Sequence, residues 1–399
     1  MATLSYRTAG ESHGKALITL VEGMPAGVTI DVDLINLELQ RRQGGYGRGG
    51  RQKIETDRVE FLTGTRVGRT IGSPITMLIP NKDYRLDDPD KTPPLTRPRP
   101  GHADLAGSIK WLTIDCRETL ERASARETAA RVAAGALTRS LLNQFGIEVV
   151  GFVRQVGEAR AKIDLLDNPK SPPSQGGMIV EKLRELRDAS DLYCPDEAAS
   201  AQMREFINSA KIAKDTAGGI VECHVFGCPV GLGSSMTIEG RLDGRIMGAV
   251  GAIQAFKGVE IGMGFGVAEL PGSKVHDEIF YDDSQKHLPS LGYVRTTNNA
   301  GGLEGGMTNG MPVIVRGAMK PISTLGKPLR SIDLANKQPS EAGWERSDIS
   351  AISAASCIME NVIAFEIARA LLEKFGGDSL TEVKQNYDAF LATARKLPV

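Results

Sequence analysis

The stretches Arg97–Gly107, RPRPGHADLAG, and Cys116–Leu142, CRETLERASARETAARVAAGALTRSLL, decide how this chain is read. Ser124 and Glu127 have the S-x-x-E spacing of a capping box, which marks a helix start. From there Ala125, Ala129, Val132, Ala133, Ala136, Leu137 and Leu141 recur at three- and four-residue steps, the period of a helix with one apolar stripe. Gly146 is the expected stop. A helix start presents free N–H groups and the positive end of the peptide dipole, so it favours anions. Arg122, Ala123 and Ser124 fall at that start, with Arg117 and Arg126 beside them. Two readings stand: a seat for phosphate or carboxylate, or a capped helix with solvated arginines.

Toward the N-terminus, Thr8–Gly14 (TAGESHG) precedes an apolar, glycine-bounded strand, Lys15–Gly23. Gly10–Gly14 has the G-x-S-x-G form of a serine-hydrolase elbow, which needs strand, turn and helix in that order. A strand follows here, so a hydrolase using Ser12 is kept only as the alternative. His13 lies among turn residues, where a core role is uncommon. Asp33 is read as capping a helix that turns Leu34, Ile35 and Leu37 inward and ends at Arg41-Arg42 before Gly44-Gly45. Gly45, Gly47 and Gly50 have dinucleotide-fingerprint spacing but follow a helix, so a Rossmann reading fails. What remains is a basic loop carrying Arg41, Arg42, Arg48 and Arg51. It either closes over a polyanionic small molecule or is simply solvated.

Residues 83–100 form an irregular, proline-rich connection into Gly101-His102-Ala103-Asp104, the form a binding loop takes. Residues 164–177 read as a second, polar loop. A helix is expected over Asp196–Ala213 and a strand over Ile220–Cys228. Cys223, His224 and Cys228 lack a second ligand pair, so no metal is expected. Gly23–Gly27 (GMPAG) and Gly227–Gly231 (GCPVG) each follow a strand and lead to an acid-started helix, an echo that suggests duplication. Leu242–Phe256 reads as a helix and Val259–Val267 as a strand. Thr296–Gly310 is dense in Asn and Gly, and Lys320–Thr324 follows the strand Pro312–Val315. Asp348 stands as N-cap before an amphipathic helix through Ile352, Ala355, Ile358, Met359, Val362, Ile363 and Leu371, which stops at Gly376-Gly377.

The whole chain has 399 residues and a formal net charge of −1, which leaves no global field for nucleic acid or an anionic membrane. No run approaches the ~20 apolar residues of a membrane span. Five cysteines, an odd number, with no secretory signal, fit a reduced cytoplasmic protein.

Eight segments in order resemble chorismate synthase: GESHG (10–14), RRQGGYGR (41–48), RPRPGHAD (97–104), ERASARETAARVAA (121–134), IQAFKGVEIG (253–262), NNAGGLEGG (298–306), MKPIST (319–324) and Arg346-Ser347-Asp348. By their order and spacing the chain is identified as a member of that family. The resemblance implies an α+β fold, a single-domain sandwich over 1–399 with long core helices packed between two antiparallel β-sheets. It also implies mobile loops around 41–53, 83–104 and 296–310, and a homotetramer. The implied activity is a carbon–oxygen lyase of the shikimate pathway, serving aromatic amino acid biosynthesis. Such an enzyme takes 5-enolpyruvylshikimate-3-phosphate to chorismate by anti-1,4-elimination, with reduced FMN and no net redox change. His13 matches the histidine that protonates the leaving phosphate, His102 the one that protonates reduced flavin, and Asp348 the acid assisting at flavin N5. Ser12 and Ser124 match serines of the relay. FMN is expected on Arg122, Ala123, Ser124, Gln254, Ala255, Gly305, Lys320, Pro321, Ile322, Ser323, Thr324 and Arg346. Gln254 stands where relatives commonly have Asn. Arg42 and Arg48 match NADPH-binding positions or touch substrate directly, with Arg41 and Arg51 on the same loop. No appended module for NADPH is seen, so an external flavin reductant is expected.

Overall fold

The structure, a computed structural model, describes residues 3–49, 56–163, 176–343 and 348–397. Its first sheet is built from β1 (Ser5–Ala9), β2 (Ala16–Glu22), β3 (Glu60–Phe61) and β6 (Ile75–Pro80), antiparallel in the order β1-β2-β6-β3. Alternation places Leu17, Thr19 and Val21 of β2 inward, all buried. A small hairpin, β4 (Thr65–Arg66) and β5 (Arg69–Thr70), precedes β6. The second sheet contains β7 (Glu148–Val156), β8 (Ala159–Arg160), β9 (Gly219–Phe226), β10 (Phe256–Ile261) and β13 (Val313–Met319), in the antiparallel order β10-β13-β9-β7-β8. Another hairpin, β11 (Leu303–Glu304) and β12 (Met307–Thr308), precedes β13.

Between the sheets lie α1 (Val32–Gln43), α4 (Thr128–Leu142), α7 (Leu242–Gly251) and α8 (Ile352–Phe375). Thr19 Oγ1 donates to Ala130 O at 2.9 Å, tying α4 to the first sheet. Gly151 N donates to Glu360 Oε2 at 3.0 Å, tying α8 to the second. The two central helices cross so closely that a Cβ on Gly135 would stand 2.0 Å from Asn361 O. Around this core run α2 (Asp104–Trp111), α3 (Arg117–Ala123), α5 (Gly176–Asp188), α6 (Glu197–Ile212) and α9 (Leu380–Ala394). The expected sandwich of helices between two antiparallel sheets is what the chain forms.

The duplication is visible in atomic detail. Thr70 Oγ1 donates to Pro25 O at 2.6 Å and accepts from Val28 N at 3.0 Å. Its counterpart Thr308 Oγ1 donates to Pro229 O at 2.6 Å and accepts from Leu232 N at 2.8 Å. Gly23 and Gly27 have φ of 82° and 88°, and Gly227 and Gly231 have 78° and 89°. In strand order β1-β2-β6-β3 matches β7-β9-β13-β10, and the two hairpins match each other.

Some local expectations are corrected. Ser124 caps a short 3-10 turn, Ala125–Glu127, through Arg126 N, and α4 begins only at Thr128. The Ser124–Glu127 box does not close, because the Glu127 carboxylate is taken by Thr8, Arg131 and Gln254. The N-cap of α1 is Asp31 rather than Asp33. Helix α7 stops at Gly251, and β10 ends at Ile261 before a 3-10 turn. Helix α8 is buried nearly all round rather than amphipathic, since other helices and the second sheet enclose it. Its N-cap residue is Ala351 rather than Asp348. Residues 164–175 of the second polar loop and 50–53 of the basic loop lie outside the described residues.

Candidate active site

The repeated topology gives the molecule two poles. At one, β1 turns into β2, β6 and β13 end, α1 and α7 end, and α4 and α8 begin. The loops that carry almost every expected site residue therefore meet at this pole.

The His13 turn joins β1 to β2. Gly10 has φ +105°, and a Cβ there would lie 2.3 Å from Ala16 O, so only glycine fits. Asn81, at the end of β6, braces the turn by donating to Gly14 O at 2.7 Å and Glu11 O at 3.1 Å. His13 Nδ1 lies 2.9 Å from the buried Glu121 carboxylate. Its Nε2 faces Arg85 Nη2 at 3.1 Å and Asp83 at 3.6 Å. The backbone N–H groups of Arg85 and Leu86 donate to His13 O, so the proline-rich segment straps onto the turn. Strands flank the turn on both sides and Ser12 is buried, which removes the hydrolase alternative.

His102 sits at the start of α2 with Nδ1 bonded to Asp104. Arg99 Nε donates to the same carboxylate at 2.8 Å, and Arg99 Nη1 donates to Thr324 Oγ1 at 2.9 Å. Burial works to raise the Asp104 pKa, but the bonds from His102 and Arg99 outweigh it and leave the carboxyl well below its ordinary range. His102 is thus joined to Lys320–Thr324, and Gly101 packs beside Ser323 and Lys320 Nζ.

Asn81 Oδ1 accepts from Arg126 Nε at 2.9 Å, and Arg126 Nη1 donates to Asp57 Oδ2 at 2.6 Å. Arg42 Nη2 reaches the same oxygen at 3.0 Å. Two buried guanidiniums thus share one carboxylate. In the loop that follows α1, Arg48 Nη1 and Gly49 N each donate to Asp348, both at 2.5 Å. Ile349 O accepts from Ala217 N, and Thr216 Oγ1 donates to Ile322 O, linking Asp348 to Lys320–Thr324.

Arg122 donates to Gly10 O at 3.1 Å and Thr8 O at 3.2 Å. Gln254 Nε2 donates to Glu127 at 3.0 Å, while its Oε1 is buried without a hydrogen-bond partner. Ala255, at φ +69°, accepts from Lys320 N. Burial and then the neighbouring Lys257 lower the Lys320 pKa, so an anion would be welcome there. This donor set, with an unsatisfied acceptor beside it, fits a planar phosphate-bearing cofactor.

Three groups of expected residues stand apart. Arg41 faces the core, because residues 38 and 41 share the inner face of α1. Its guanidinium holds Glu38 at 2.6 Å and Glu360 at 2.8 Å. Gly305 lies in the β11–β12 turn at the opposite pole, about 20 Å of strand away from Lys320. Arg51 and Arg346 lie outside the described residues. A hollow of about 420 Å³ at that opposite pole, lined by Phe145, Phe226, Tyr293 and Met311, has no cationic side chain among the described residues of its wall. Among the described residues no group of three His, Cys, Asp or Glu could hold a metal, and no helix is long and apolar enough to cross a membrane. Glu121, Asp104, Asn81, Asp57 and Lys257 were not singled out from sequence. Only Asp104, two residues from His102, had a local signal.

The sequence model of the chorismate synthase family matches residues 4–372. The chain belongs to the chorismate synthase family. The chorismate synthase of Geobacter metallireducens is 51% identical, covering 97% of this chain and 98% of its own. That of Geobacter sulfurreducens is 50% identical, covering 98% and 99%. A crystal structure of chorismate synthase superposes with a TM-score of 0.79 at 37% identity over the full length of both chains. Membership of the chorismate synthase family makes this chain a lyase.

Proposed function

We propose that this lyase converts 5-enolpyruvylshikimate-3-phosphate to chorismate at the pole that gathers His13, His102, Arg48–Asp348 and Lys320. The observation that carries the reading is this convergence of two histidines with cations from both repeats. A substrate bearing one phosphate and two carboxylates needs such counter-charge. Arg42, Arg48 and Arg126 hold its anionic groups, and His13 gives the leaving phosphate its proton from Nε2. Arg122–Ser124, Gln254-Ala255 and Lys320–Thr324 would hold reduced FMN, which would supply electron density to the elimination. Asp104 engages His102 Nδ1, so Nε2 is the nitrogen that exchanges a proton with the cofactor side. Asp348, Ser12 and Ser124 complete the relay, and Arg346 joins the cofactor set.

The chain works as one domain and assembles as a homotetramer. Exposed Met236, Ile238, Phe265, Ile279 and Phe280 support self-association. Gly305 reaches a cofactor only from a neighbouring copy. An external reductant supplies the electrons, drawing on NADPH indirectly, in a cytoplasm whose reducing poise suits five buried free thiols. Anaerobic incubation with the substrate and reduced FMN should release phosphate and chorismate in equal amounts, and His102→Ala should lower kcat by about 10²-fold or more. No phosphate release from the parent chain overturns the reading.

A further inference from the structure

We infer that Glu121 is the positioning residue of His13, fixing the imidazole as its Nδ1–H tautomer so that Nε2 alone serves the leaving phosphate. The inference rests on the reading of His13 as the proton donor. Residue 121 grips the turn through three hydrogen bonds. Its main-chain oxygen accepts from Ser12 N at 3.0 Å, and its carboxylate accepts from His13 N at 2.9 Å and from His13 Nδ1 at 2.9 Å. The Glu121 side chain is fully buried, with Arg117 one helical turn away at 3.7 Å. An ionised carboxylate can only accept, so the proton of that contact belongs to Nδ1. Burial opposes ionisation of Glu121, but the bonds from His13, the charge of that ring when protonated and then Arg117 overcome it, and the Glu121 pKa falls below the ordinary value.

The other ring nitrogen faces outward. Arg85 Nη2, 3.1 Å from Nε2, can only donate, so it too requires Nε2 to be the bare nitrogen. The Arg85 and Asp83 side chains are about one-third exposed. An arriving phosphate offers Arg85 a better acceptor and draws it off Nε2, which takes a proton from solvent; the resulting imidazolium, its Nδ1–H still on Glu121, gives the Nε2 proton to the departing phosphate and returns to the Nδ1–H form. His102 repeats the device with Asp104 on its Nδ1. A purely structural Glu121 would brace the turn without caring which nitrogen holds the hydrogen.

The test uses the intact protein labelled with ¹⁵N-histidine. The chain has five histidines, and the His13 resonances are those missing in His13→Asn. At a pH where the ring is neutral, His13 should show a protonated Nδ1 and a bare Nε2. Glu121→Gln keeps the shape but removes the obligate acceptor. It should mix the two tautomers and lower kcat by about 10²- to 10⁴-fold, the share of a positioned proton donor, with KM little changed. A parent His13 in the Nε2–H form overturns the inference even if the variant fails to fold, and so does a folded Glu121→Gln enzyme with undiminished kcat. Both outcomes differ from a parent chain that releases no phosphate, which strikes the assigned reaction instead.

Discussion

Asp57 shows how a single side chain can join distant segments. It accepts from both Arg42 and Arg126, so one carboxylate ties two buried guanidiniums together. Burial, more than any neighbour, lowers the Arg42 pKa, and Asp57 holds its charge in place. Asp57→Asn should remove the carboxylate that two buried cations share and cost about 3–5 kcal/mol, read from the urea midpoint. Added sulfate should restore more stability to the variant than to the parent. None of this was legible locally, because Asp57 and Arg126 are far apart in the chain. Asp348 was singled out in the sequence, but its contacts were not legible there. A carboxylate just ahead of a helix reads as a cap, whereas here the helix starts later and Arg48 claims the charge. Arg41 misled for the opposite reason, since a run of arginines gives no sign of which one turns inward.

Among the elements, the crossing of α4 and α8 is the tightest constraint. Alanine is the better helix former than glycine by about 1 kcal/mol, so Gly135→Ala would stabilise an isolated helix. Here the added carbon would meet main-chain Asn361 O at 2.0 Å, and backbone cannot swing aside. Overpacking should win, with a net loss of about 1–3 kcal/mol in denaturant unfolding. The period of α4 was plain in sequence because its apolar stripe is unbroken. Its true first residue was not, because Glu127 found distant partners in place of Ser124. In α8, Glu360 and Asn361 look like a solvent face. They are polar because they close a buried network with Glu38, Arg41, Arg139 and Arg187, which no local pattern reveals.

At the scale of the molecule, buried carboxylates govern the response to acid. Burial alone would raise Glu38 and Glu360, yet the guanidiniums of Arg41 and Arg139 hold both below the ordinary value. Asp57, Asp104, Glu121 and Glu222 are lowered by their own cationic or hydrogen-bonded partners. A depressed folded pKa stabilises the protein above the unfolded value and ceases to do so as pH falls through the folded one. Calorimetry should therefore show a level Tm above about pH 5 and a steep decline below about pH 4. The layered architecture came from family resemblance, since the periodicity of separate segments cannot order strands in a sheet. The glycine echo at 23–27 and 227–231 was the one long-range signal read from residues. A second, T-x-G-x-P at Thr70–Pro74 and Thr308–Pro312, stood in the sequence unread and marks the matching strand starts. Repetition has a geometric dividend. Twofold reuse of one strand-and-helix plan brings twice as many chain reversals to a single rim, so ligands can be surrounded without lengthening any segment. It also frees each copy to diverge, one furnishing imidazoles and the other ammonium and carboxylate groups. An asymmetric set of side chains thus stands on a symmetric frame.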